Sequence, residues 1–196
     1  HLLPFLACYS VISVYTEIEE FKMKLTEIQK KYVLHWGEMG MKWGINRTVA
    51  QIHALIYVSP DPLHAEEITE TLGVARSNVS NSLKELQGWG IVRVVHVLGD
   101  RRDHFETITD VWELFRIIGN ERKRREYDPT IAFLKDCVAE AEADGSDAYT
   151  RDRLKELYEF MNTTTQLYEL FHNWPAKTII KFVNMGSKVR QLLKLS

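Results

Sequence analysis

The sequence predicts a mainly α-helical fold with a small β-hairpin wing: a winged helix-turn-helix domain joined to a further helical region. Three observations predict it. Residues 63–109 hold a short helix, a tight turn at Gly73, a second helix and a hairpin, with almost no spare residues between them. The hairpin turn Gly99-Asp100-Arg101-Arg102-Asp103 stands between an alternating, β-branched run and a short return run. Beyond residue 110, apolar positions recur at helical spacing almost to the end of the chain.

The first helix is carried by Leu25, Ile28, Tyr32, Trp36, Met39 and Trp43, spaced three and four apart, with Thr26 as its cap and Gly44 at its end. A second helix runs from Thr48 to Val58 with Val49, Ile52, Leu55 and Ile56 inward, and Ser59-Pro60-Asp61-Pro62 stops it. An edge strand at Leu63 to Ala65 precedes a helix from Glu66 to Leu72 that buries Ile68 and Leu72. Gly73 supplies the left-handed turn into the helix from Arg76 to Gln87, which buries Val79, Leu83 and Leu86. Ile91 to Leu98 reads as a strand and His104 to Ile108 as its return. Asp110 and Glu113 form a capping box for a helix to Tyr127, and Asp128-Pro129 caps the next, to Ala143. After the polar loop from Asp144 to Asp147, a stripe of Leu154, Leu157, Tyr158, Met161, Tyr168 and Phe171 predicts a long helix. Trp174-Pro175 breaks it, and a last helix carries Ile179, Ile180, Val183, Val189, Leu192 and Leu193.

With 196 residues, 45% of them hydrophobic, the chain can bury one good core or two small ones. A formal net charge of −2 gives no overall attraction to a polyanion, so any basic surface must be local. Cys8 and Cys137 lack the spacing of a disulfide framework or a zinc ribbon, which fits a reducing, cytoplasmic setting. The run from Leu2 to Tyr15 is apolar but too short for a bilayer and has no basic leader, so no membrane partner is expected. Residues 1–22 read as a leader or appended segment before a natural start at Met23, or as a swapped amphipathic helix.

At 100° per residue, the side of the 76–87 helix opposite Val79, Leu83 and Leu86 centres on Ser77, Asn81 and Lys84, flanked by Asn78 and Ser80. Short hydrogen-bonding side chains above an apolar underside are what a DNA recognition helix needs. Asn pairs with adenine, Ser serves as donor or acceptor, and Lys84 reaches phosphate or guanine. A plain solvated helix face is the competing reading, although helix interiors disfavour Ser and Asn. Arg101 and Arg102 at the hairpin tip suit a narrow minor groove, with Asp100 and Asp103 to orient them; a salt-bridged surface turn is the alternative. From 76 to 104 the basic residues Arg76, Lys84, Arg93, Arg101 and Arg102 outnumber Glu85, Asp100 and Asp103.

Several stretches closely resemble the GbsR-type branch of the MarR-like transcriptional regulators: Trp36 to Gly40, Trp43 to Leu55, Val74 to Gly90 and Val95 to Phe105. The likeness spans about residues 25–126. It implies residues 23–109 as a DNA-binding domain including its N-terminal helix, and 110–196 as linker, dimerisation and effector region. It further implies a homodimer on a palindromic double-stranded operator, acting as a repressor. Ala75 departs from the pattern, standing where many such helices carry a Ser or Thr cap worth about 1 kcal/mol. A winged-helix protein-interaction module that does not touch DNA is the alternative of a different class.

Some members of that branch resemble sensors of choline or glycine betaine, quaternary ammonium compounds whose cationic heads aromatic faces hold. Tyr32, Trp36, Trp43, Trp112 and Phe115 are the candidates for such a small-molecule effector, while aromatics at helical spacing also serve simply as core. His96 and His104 flank the wing turn and are expected to face each other, but two histidines without a third ligand make no metal site. No nucleophile elbow, phosphate loop or metal signature accompanies His35, Glu38, Asp61, His64 and Glu66, so no catalytic residue, cofactor or metal is assigned and an enzyme is not expected. Arg122-Lys123-Arg124-Arg125 reads either as a phosphate contact or as a solvated face paired with Glu121 and Glu126.

Overall fold

The computed structural model describes residues 24–143, 145 and 147–192, of which 187–192 by backbone alone. The expectations for residues 1–22, Met23 and Leu193 lie outside the described residues. The chain divides into two compact units between Val111 and Trp112.

In the first unit, helix α1 (Glu27–Lys42) starts on a reciprocal cap: the Gln29 N–H donates to the Thr26 hydroxyl at 3.2 Å, and the Thr26 N–H to Gln29 Oε1 at 2.9 Å. Its buried face is Val33, Gly37 and Gly40, which corrects the predicted stripe. The cause is close approach to α2 (Arg47–Val58): a Cβ on Gly40 would stand 2.5 Å from Ala50 Cβ, and one on Gly37 2.6 Å from Gln51 Cγ. Ile28, at 81% exposure, is left in solvent. Helix α2 buries Val49, Ile52, Leu55 and Ile56 as expected, and Ala50, His53 and Ala54 as well.

Strand β1 is only Leu63–His64, because helix α3 (Ala65–Leu72) begins a residue earlier than its predicted start. His64 is the cap. Its Nδ1 accepts the Glu67 N–H at 3.3 Å while Glu67 Oε2 accepts the His64 N–H at 2.9 Å. Ile68 is fully buried and Leu72 only half-buried. Gly73 has the left-handed conformation the turn requires, φ +64°, and leads to α4 (Arg76–Gly88).

Strand β2 (Val92–His96) is shorter than its sequence run, and β3 (Asp103–Thr107) starts and ends one residue earlier than predicted, with Leu98 fully exposed in the turn. The antiparallel sheet has the order β1-β3-β2. Register pairs His96 with Asp103 and Val95 with His104. The expected His96–His104 pairing is therefore corrected, since a one-residue offset sends neighbouring side chains to opposite faces. On β1, it is His64 that stands opposite His104.

The second unit comprises α5 (Val111–Arg122), a π turn (Lys123–Tyr127), α6 (Asp128–Ala143), α7 (Ala148–His172) and α8 (Ala176–Leu192). Asp128 was the expected cap of a new helix. Instead its own backbone is helical, and its N–H donates to the Lys123 carbonyl five residues back. A widened turn fits the next residue, Pro129, which lacks an N–H and whose ring would crowd the regular ladder. The Thr130 hydroxyl donates to the Glu126 carbonyl at 2.6 Å, closing that turn. Asp147 caps α7 by accepting the Thr150 N–H at 2.9 Å, and Trp174-Pro175 separates α7 from α8 as predicted.

Candidate nucleic-acid interface

Helix α4 is seated by Val79, Leu83 and Leu86, all fully buried, together with Ser82, which the sequence did not mark as inward. Ser77, Asn78, Ser80, Asn81 and Lys84 are exposed together on its outer side. Ala75 gives the helix no side-chain cap; its carbonyl accepts the Asn78 and Val79 N–H groups at 2.9 and 3.1 Å. Arg76 forms an ion pair with Glu66 on α3, at 2.6 Å.

Asn46 and Thr48, at the start of α2, line a polar cleft of about 230 Å³ with Asn78, Asn81, Ser82 and Glu85. The sequence places a helix start near Thr48, and Asn46 caps it by accepting the Thr48 N–H at 2.8 Å. That this start lies beside α4 is a tertiary fact that no local pattern carries.

In the wing, Arg101 is exposed and Arg102 is braced. Asp100 accepts the Arg102 backbone N–H at 2.9 Å, its Nε–H at 2.9 Å and a terminal guanidinium N–H. These bonds hold the Asp100 carboxyl well below the usual carboxylate range, the Arg102 side chain first and its backbone N–H next. Arg102 is in turn raised, chiefly by its hydrogen bonds to Asp100. Arg93 is paired across the strands with Glu106, Nε to Oε1 at 2.6 Å, which removes one charge from the local basic excess.

Behind the wing the His64 and His104 rings meet edge to face, 5.5 Å between centroids, and both are buried. His104 Nδ1 lies 3.0 Å from the Arg102 carbonyl, which fixes it as the donor. A third buried imidazole, His53, contacts Thr107 Oγ1 at 3.2 Å while that hydroxyl donates to the Ile91 carbonyl. Burial lowers the His53 pKa to about 4.

The aromatic candidates form two separate groups. Tyr32 stacks on Trp36 at 5.4 Å, and Trp43 meets Trp36 edge on at 5.7 Å. In the second unit, Trp112 and Phe115 meet at 6.4 Å and line a cavity of about 300 Å³ whose wall includes Arg116, Tyr168, Phe171 and His172. The tetrad at 122–125 takes the paired reading: Arg124 and Arg125 bind Glu121, Arg122 faces Glu126, and Lys123 binds Asp128 and Glu169. Among the described residues no helix is long and apolar enough to cross a membrane.

Residues 43–103 match the model of the MarR family. YvaV of Bacillus subtilis (strain 168), provisionally named an HTH-type transcriptional regulator, is 22% identical over 151 residues, covering 72% of this chain and 84% of that protein. A crystal structure described as a transcriptional regulator superposes with a TM-score of 0.55 at 20% identity, covering 74% of this chain and 95% of its own. The fold is a winged helix, mostly helical with one small antiparallel sheet, and its likeness to the MarR family lies in residues 43–103.

Proposed function

We propose that the protein is a sequence-specific DNA-binding transcriptional regulator with no catalytic activity of its own. One observation carries this reading: α4 exposes Ser77, Asn78, Ser80, Asn81 and Lys84 over a buried apolar underside, beside a wing that carries Arg101 and the braced Arg102. In this reading α4 enters the major groove and the wing arginines enter the minor groove. Asn46 and Thr48 lie beside Asn78 and Asn81, where they add polar groups to the same surface. The names of the relatives support a regulator over the alternative of a protein-interaction module.

The working form is a dimeric repressor on a palindromic operator, with the helices after Val111 as the dimerisation region. Its small-molecule effector occupies the aromatic cavity lined by Trp112, Phe115, Tyr168 and Phe171. A choline-like or glycine betaine-like quaternary ammonium compound is the class that the resemblance implies, and aromatic faces suit its cationic head. Such a ligand acts by differential affinity for two spacings of the recognition helices.

Selection of duplexes from a random pool, followed by fluorescence anisotropy, tests this reading. Arg101→Ala with Arg102→Ala is expected to weaken the selected complex at least about tenfold and to reduce its salt dependence. Failure to enrich any duplex would leave the protein-interaction module standing instead.

A further inference from the structure

We infer that His104, backed by His64, is a positioning residue for DNA binding: a proton on it loosens the carboxylate that holds the wing arginine, an inference that rests on the DNA-binding reading above. Two arginines of the proposed interface are tied to acidic side chains, Arg76 to Glu66 and Arg102 to Asp100. A buried imidazole stands behind each of these carboxylates. His64 Nδ1 is 3.2 Å from Glu66 Oε2 and its Nε2 3.5 Å from Glu67 Oε2, while His104 Nε2 is 3.6 Å from Asp100 Oδ2. The two rings touch edge to face, so the contacts run without a gap from Arg76 on the recognition helix to Arg102 on the wing.

The charges around the pair come from three elements: Glu66 and Glu67 from α3, Asp100 and Arg102 from the wing, and Arg76 from α4. Among the described residues these contacts set three carboxylates against two guanidiniums, which favours one further positive charge on the pair. A second would put two cations on rings 5.5 Å apart.

His104 is the better place for that charge. His64 Nδ1 already accepts the Glu67 N–H that caps α3, and protonating it forfeits that bond. His104 uses Nδ1–H on the Arg102 carbonyl, which leaves Nε2 facing Asp100. A proton there turns Nε2 into a charge-assisted donor to the same carboxylate that clasps the Arg102 guanidinium. The carboxylate is then shared, and Arg102 is freer to turn to a phosphate or the minor groove. Acidification therefore tightens the DNA complex through this joint.

The test is anisotropy of the full chain on its selected duplex at constant ionic strength, from about pH 8 to about pH 5, the range in which imidazole changes charge. Wild type is expected to bind about tenfold tighter at the acid end. His104→Gln, which keeps a donor for the Arg102 carbonyl, is expected to flatten that dependence while staying within about threefold of wild type at the alkaline end. His96→Gln, exposed on the same hairpin, is expected to retain the wild-type slope and controls for general histidine charge. Should His104→Gln not fold, Asp100→Asn removes the shared carboxylate and is expected to flatten the profile equally. A wild-type affinity that is level or falls towards acid, or a variant that keeps the full slope, overturns the joint alone. Absence of duplex binding at every pH overturns the DNA-binding reading with it.

Discussion

The two units bury their apolar residues to different extents. In the first, Ile52, Ala54, Leu55, Ile68 and Val79 are wholly inaccessible, on helices α2, α3 and α4, which pack against one another and against the sheet. In the second, the buried apolar residues among those described are Leu114, Leu134 and Ala141, and the 25-residue α7 buries none. Phe133, Phe160, Val183 and Met185 are each more than half exposed there. A small closed core is stable by its own packing, whereas large apolar side chains left in solvent are what an assembly surface would cover. The difference is the one expected if, as proposed, the first unit reads DNA and the second assembles.

The largest effect is expected from breaking the closed core. Ile52→Ala removes a fully buried side chain and should cost about 2–5 kcal/mol in urea unfolding, from lost burial and the cavity left behind. A cost near the level of a surface substitution would contradict the contrast between the units.

A second prediction concerns pH and belongs to the same core. Burial holds the folded-state pKa of His53 at about 4, below the ordinary value of 6.5. The unfolded chain therefore binds a proton more readily. The stabilisation due to neutral His53 is fully present above about pH 6.5 and is lost as pH falls from there to about 4. The amount at stake is on the order of 3 kcal/mol. His53→Gln, which retains a donor for Thr107, should abolish that part of the acid sensitivity when urea midpoints are compared across the range. An unchanged acid profile would place the sensitivity elsewhere.

Local features of this molecule were legible in the sequence, and tertiary ones were not. The faces of α4 follow from the spacing of Val79, Leu83 and Leu86, because a helix under a single packing contact converts sequence period directly into burial. Gly73 was legible because its turn demands a positive φ. The inner face of α1 was not. Apolar periodicity gives weight to Tyr32 and Trp36, whereas the contact with α2 is made where Gly37 and Gly40 have no side chain at all. Strand register was missed by one residue for a similar reason: the turn composition shows that a hairpin exists without fixing which residues stand opposite, so His104 was matched to His96 and not to His64. An imidazole as the cap of α3 and a π turn ahead of Pro129 both depend on geometry that residue preferences do not encode.

The smallest stability effect, and the sharpest test of the contrast, is expected on α7. Leu157, Phe160 and Leu167 fall within about 80° of one another around that helix, and all three are exposed, Phe160 by 64%. Phe160→Ser removes little that is buried within the chain, so its intrinsic cost should be below about 0.5 kcal/mol. If this face joins two copies, the same substitution should shift the protein towards monomer in sedimentation velocity, and any apparent loss of stability should shrink on dilution as assembly ceases to contribute. The two measurements separate the causes. A Phe160→Ser protein that stays dimeric removes this face from the interface, whereas one that loses stability at every concentration shows that the second unit packs Phe160 within a single chain after all.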